Sequence, residues 1–174
     1  DAQEDKTVEL FDFLRTLKDE NDQALYSTDK ITGMFISMMF AGHHTTSGSA
    51  AWTLIELLKN PEMLSEVISE LDELYADGRG VSHQALREIP KLENSIKESL
   101  RLHPPLILLM RKVMYDFHYK GWTVPAGKLV GVSPSVSNRM AECFPNPEVF
   151  DPTRYTGDRA EDKQLFSWIP FGAG

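Results

Sequence analysis

The stretch from Ile31 to Ile55, ITGMFISMMFAGHHTTSGSAAWTLI, contains no Asp, Glu, Lys or Arg, and its reading decides the fold. Its length alone would suffice to cross a bilayer, for which about 20 apolar residues are needed. Its centre, His43-His44-Thr45-Thr46-Ser47-Gly48-Ser49, is a costly block to place in lipid. A segment apolar at both ends and polar in the middle suits the core of a large protein, with a functional pocket halfway along. Ser27 or Thr28 can cap such a helix, and Asp29 lies near its positive end. The pattern predicts a helix to about Lys59, some 32 residues or roughly 48 Å.

Working outward, Leu10, Phe11, Phe13, Leu14 and Leu17 fall at helical spacing and predict an amphipathic helix over roughly residues 7–19, followed by a polar linker. Asn60-Pro61-Glu62 stops the long helix and starts another, with Asn as cap and Pro in the first turn. That helix continues through Leu64, Val67, Ile68, Leu71 and Leu74 to Asp77-Gly78-Arg79-Gly80. Ser82 caps a short helix, and Ile89-Pro90 opens one that ends at His103-Pro104-Pro105. The pattern then changes. Leu106 to Val113 reads as a buried strand, Tyr115–Tyr119 and Trp122–Val124 as a pair joined around Gly121, and Leu129–Val132 as a further strand after the Pro125-Ala126-Gly127 turn. Residues 134–141 suit one or two helical turns, and 143–167 an ordered loop. The expected class is mainly α with a small β-sheet late in the chain.

The 174 residues suffice for one domain with a sizeable core. A charge of −8 favours neither nucleic acid nor anionic lipid, and Asp1–Asp5 lack the start of a signal peptide. The single cysteine, Cys143, excludes an internal disulfide and fits a reducing compartment. The chain opens without Met and stops inside a glycine-rich stretch, so both ends read as cuts.

Four patterns carry possible chemistry. Ala41-Gly42-His43-His44-Thr45-Thr46 spends about 1 kcal/mol of helix propensity on its glycine, which would let a flat ligand or a diatomic molecule approach the backbone. A Thr hydroxyl there can bond a carbonyl one turn back and open the helix locally. The plainer reading is a close helix–helix crossing. Glu98-Ser99-Leu100-Arg101 pairs opposite charges three residues apart, by itself an ordinary surface pair. Pro147-Glu148-Val149-Phe150-Asp151-Pro152-Thr153-Arg154 is a rigid loop that delivers one arginine, and Ile169-Pro170-Phe171-Gly172-Ala173-Gly174 permits close backbone approach.

In this order and at these separations the four resemble the cytochrome P-450 superfamily, from about Thr28 to Gly174. The resemblance implies part of that fold: a single incomplete domain over residues 1–174, running from the long central helix to the start of the haem-binding loop. It implies that Glu98, Arg101 and Arg154 form a buried charge cluster supporting a haem b. Ala41 and Gly42 would border an oxygen groove, Thr45 would deliver protons for O–O cleavage, and Arg111 would pair with a haem propionate. Pro170, Phe171 and Gly172 would open the haem-binding loop.

Where most members carry an acid before the threonine, this chain has His44. That departure, with residues 35–45 and 100–106, is similar to sterol 14α-demethylases of the bacterial type. His44 would then be a proton relay, an imidazole being suited to neutral pH; the plainer alternative is that it only bonds within the pocket. Phe40, Leu106 and Leu108 would line an apolar sterol pocket. The implied reaction is stepwise oxidation of the 14α-methyl group with O₂ and electrons from a ferredoxin or reductase, and another bulky lipid or terpenoid is the alternative substrate. The family's thiolate ligand falls a few residues past the Phe-Gly pair, hence beyond Gly174. Cys143 precedes the proline-rich loop and is not expected to be a ligand, so the chain alone is expected to be inactive. Likeness to bacterial members implies a soluble, cytoplasmic protein, with an N-terminal anchor left open. Two rivals remain: a binding scaffold without turnover, and a non-haem metal site. Adjacent histidines diverge by about 100° on a helix, which disfavours the second.

Overall fold

The computed structural model describes residues 9–172. Two compact units partition the chain, Asp1–Thr46 and Ser47–Gly174.

The first unit holds α1 (Leu10–Thr16) and the N-terminal part of α2 (Thr28–Lys59). Residues 7 and 8 of the predicted first helix lie outside the described residues. At the other end this helix stops three residues short of the expected boundary. Lys18 forms a β-bridge with Ala24, and Asp19 Oδ1 accepts the N–H groups of Asn21 and Gln23, so a local turn competes with the last helical turn. Ser27, not Thr28, caps α2, its hydroxyl accepting the Lys30 N–H at 3.3 Å. Phe11 packs on Phe35 with ring centroids 5.7 Å apart, and Ile31 is buried. No helix among the described residues is long and apolar enough to cross a membrane.

The second unit continues α2 and adds α3 (Pro61–Leu74) and α4 (Pro90–Leu102). Asn60 departs from its expected role: its side chain does not cap α3 but turns back to donate to the Glu56 carbonyl at 2.8 Å, closing the end of α2. Leu74, Ala85 and Ile89 form a small core beneath Leu71, Tyr75 and Leu92. Glu70 of α3 reaches across to accept the Lys91 and Leu92 N–H groups at 2.9 and 3.1 Å, capping α4 with a carboxylate from its neighbour. Ser82 caps a 3₁₀ turn over Ala85–Arg87.

The strands form two separate antiparallel ladders. β1 (Leu109–Lys112) pairs with β4 (Leu129–Val132), and β2 (Phe117–Tyr119) pairs with β3 (Trp122–Val124). The connection inside the second ladder is Lys120-Gly121, both at positive φ, as a two-residue hairpin requires. The strand expected from Leu106 begins only at Leu109 and is largely exposed rather than buried, since β4 is its single ladder partner. One helical turn, α5 (Pro134–Ser137), precedes a long ordered loop that contains 3₁₀ turns at Pro152–Tyr155 and Glu161–Lys163.

Candidate functional site

The second unit is organised around Glu98, which has no solvent exposure. α4 places it one turn before Arg101, whose Nε and Nη2 donate to its two carboxylate oxygens, each at 2.8 Å. Arg154 Nε donates at 3.0 Å, the Asp151 N–H at 3.0 Å and the Tyr155 hydroxyl at 2.7 Å. The rest of both guanidiniums is matched by the loop 145–149. Carbonyls of Pro145, Asn146, Pro147 and Val149 accept from Arg154 or Arg101, and the Asn138 carbonyl accepts from Arg101. Asn146 takes a left-handed conformation, φ 52°, which asparagine tolerates better than most non-glycine residues. Phe144 is fully buried and carries Arg101 over its ring at 5.1 Å. The pair at 98 and 101 is therefore a buried bidentate contact, unlike a solvent-exposed surface pair.

Two guanidiniums against one carboxylate would leave a buried positive charge. Glu161 supplies the second anion, accepting from Arg154 Nη1 at 2.9 Å while Arg159 donates to its other oxygen at 2.7 Å. Burial alone would lower the pKa of Arg154, but Glu161 and Glu98 outweigh it and raise it. Burial likewise raises the Tyr155 phenol, with Glu98 adding to the effect, so its hydroxyl remains a donor. Arg159 ends the network at the surface, reaching Asp151 Oδ2 at 2.8 Å. Burial would raise the Asp151 carboxyl; hydrogen bonds from Thr153 and Arg159 overcome this and hold it below the usual range.

Beside this cluster lies a cavity of about 370 Å³ lined by Leu109, Arg111, Val132, Ser137, Phe166, Ile169 and Gly172. Its wall is apolar apart from Ser137 and the guanidinium of Arg111, which also donates to the Met110 carbonyl at 3.0 Å. Gly172 has φ +87°, and a Cβ there would meet Leu109 Cδ1 at 2.7 Å, so the turn closes on the strand only with glycine. Phe166, at φ 63°, holds a backbone that aromatic residues rarely adopt. A flat apolar group bearing carboxylates fits this set: apolar walls for its faces and one guanidinium for an acid. Pro170 is buried, and Phe171 is exposed. Cys143 is partly buried in the turn after Met140 and does not line the cavity.

The other expected site residues lie on α2. Its helical hydrogen bonding continues through Gly42 and Thr45 without a break, so the local opening considered from the sequence does not occur. Thr45 Oγ1 instead donates to the Ala41 carbonyl at 2.6 Å and more weakly to Gly42 at 3.4 Å. A Cβ on Gly42 would meet nothing within 4 Å, and no close helix crossing uses that glycine among the described residues. His44 is exposed and stands edge-on to His43, centroids 5.0 Å apart. Phe40 is 68% exposed, and Leu106 and Leu108 are exposed as well.

Sequence reasoning passed over Tyr155, Glu161 and Asn138. Tyr155 had a signal in its position directly after Arg154; Glu161 had none, lying seven residues past Arg154 in an irregular loop, nor had Asn138, whose partners are remote in sequence. It also passed over the buried Glu56. This carboxylate accepts from Lys59 at 3.0 Å and lies 3.0 Å from His103 Nε2, whose ring stacks on Trp52 at 3.9 Å. Burial would raise its pKa, but Lys59 and His103 more than offset that and lower it.

The family model for cytochrome P450 matches residues 1–174. Over 95% of its length the chain is 54% identical to a sterol 14alpha-demethylase of Mycolicibacterium vanbaalenii and 55% identical to one of Mycobacterium tuberculosis, covering 37% of each. It is 40% identical to obtusifoliol 14-alpha demethylase of Triticum aestivum over 83% of this chain and 34% of that one. The chain thus spans little more than a third of the curated relatives it matches. Among solved structures it resembles retinoic-acid-bound cyanobacterial CYP120A1 with a TM-score of 0.83 at 28% identity, over 94% of this chain and 37% of that one.

Proposed function

The chain belongs to the cytochrome P450 family, and from that premise we propose that it is the central and C-terminal part of a haem-thiolate monooxygenase that removes the 14α-methyl group of a sterol. The carrying observation is the 54–55% identity to proteins named sterol 14alpha-demethylase, which extends over 95% of the chain. In this reading both units are parts of one catalytic domain.

The cavity beside β1 would hold haem b: Leu109, Val132 and Ile169 against its apolar surface, Arg111 on a propionate, and the Ile169–Gly172 turn alongside. When bound, the haem would supply oxygen activation, and its thiolate ligand would come from beyond Gly174. The cluster of Glu98, Arg101 and Arg154 keeps α4 and the 145–155 loop in register and takes no part in proton transfer, since every donor in it is already engaged.

On α2, Gly42 leaves a flat open flank for a small ligand. The Thr45 proton is held by the Ala41 carbonyl, so its oxygen lone pairs face outward as acceptors, and a proton can pass through the hydroxyl as it reorients. His44 is the neighbouring group that can load that relay. Phe40 on the first unit, and separately Leu106 and Leu108 on the second, are exposed apolar side chains of the kind that line a lipid pocket. Electrons would come from a ferredoxin or a reductase. Likeness to bacterial relatives supports a soluble, cytoplasmic protein.

The test is to supply the full-length protein with O₂, an electron donor and a lanosterol-like sterol. We expect a product lacking the 14α-methyl group and one formate per product. Oxidation of retinoids or terpenoids with no action on sterols would favour the other substrate class, toward which the retinoic-acid-bound relative points. A protein that binds no haem would defeat both readings.

A further inference from the structure

Asn138 has no solvent exposure, and it touches two parts of the second unit at once. Its main-chain carbonyl accepts from Arg101 Nη1 at 2.9 Å. Its side-chain Oδ1 accepts the Ile169 N–H at 3.0 Å, and the Ile169 carbonyl accepts the Gly172 N–H at 3.0 Å. Ser137, the residue before it, and Ile169 both line the cavity that holds Arg111. One residue therefore joins the buried charge cluster to the turn that walls the cavity. Its Nδ2 finds no partner among the described residues. An idle buried donor costs stability that an apolar side chain of similar size would not. The carboxamide is accordingly explained by what its oxygen holds.

We propose that Asn138 is a positioning residue of the cofactor pocket, its carboxamide oxygen setting the Ile169–Gly172 turn while its main chain ties that turn to Arg101. The inference rests on reading the cavity as the haem pocket. The two bonds are separable, because the contact with Arg101 uses the main chain and survives a change of side chain.

The experiment uses the full-length, haem-loaded protein and follows amide hydrogen exchange in peptides 166–172 and 95–102, together with the rate of haem loss to a haem-scavenging apoprotein. Asn138→Ala should speed exchange in 166–172 by about tenfold, the scale of one lost buried hydrogen bond in local opening, and leave 95–102 unchanged. Haem loss should quicken with it. Asn138→Leu, of similar size and without the acceptor or the idle donor, should speed exchange in 166–172 alone as the alanine variant does; it carries the test if the alanine variant does not fold. Unchanged exchange in 166–172, or an equal rise in both peptides, would overturn the proposal. A parent protein that holds no haem, with the exchange contrast intact, would instead count against the pocket reading.

Discussion

The charge cluster around Glu98 and the middle of α2 are both polar regions, yet they are built on opposite terms. In the cluster each guanidinium N–H has an acceptor within the chain, and Glu98 and Arg101 are both 0% exposed. Around Gly42 and Thr45 the polar groups lie open, a glycine faces empty space, and the threonine bonds its own helix. A polar group that is closed within its chain serves the fold. One that stays exposed, like the Thr45 hydroxyl, can still accept a bond from a ligand. On this contrast we propose architecture for the first region and chemistry for the second.

The sharpest way to break the contrast is to remove Glu98. Glu98→Ala strands two buried guanidiniums, and we expect a loss of about 3–5 kcal/mol with no haem retained. Urea unfolding and the haem-to-protein ratio report both, and a well-folded variant with normal haem content would show that the cluster is dispensable. A smaller loss, about 1–3 kcal/mol, should follow Glu161→Ala, which takes the second counter-charge from Arg154. A variant as stable as the parent in the same unfolding assay would mean that one carboxylate balances both arginines.

In α2 the sign should reverse. Gly42→Ala meets no neighbour and should stabilise the helix by up to about 1 kcal/mol while turnover falls. A gain in melting temperature without any loss of turnover would mean that the open flank is unused. The smallest effect concerns pH. Asp151 has its folded pKa depressed, so its stabilising contribution is present above its unfolded value, near about 3.9, and is lost as pH falls through the folded value. Asp151→Asn should flatten the acid limb of stability below about pH 4 and leave the neutral region little changed; an unaltered acid limb would contradict this.

Periodicity and punctuation sufficed for α2, α3 and α4, because Asn60-Pro61 and Ile89-Pro90 are local signals. The Lys120-Gly121 hairpin was legible for the same reason. The short reach of α1 was not, since the bridge from Lys18 to Ala24 is decided by backbone pairing that apolar spacing does not report. Nor was the exposure of β1, which depends on what covers a strand rather than on its own composition. At the site, Glu98, Arg101 and Arg154 were named from motifs and the structure brings them together, 53 residues separating Arg101 from Arg154. Glu161 and Asn138 complete the surroundings through contacts that no local pattern records, while Tyr155 follows Arg154 directly.

The most direct measurement is the turnover of the full-length protein carrying Thr45→Ala or His44→Ala, read beside its haem content. Haem content and folding should match the parent, with sterol oxidation reduced at least about tenfold, a relay being worth about 10²–10⁴ in general acid–base catalysis. Undiminished oxidation, or a loss of haem that matches the loss of turnover, would contradict the division between a closed architectural cluster and an open chemical one.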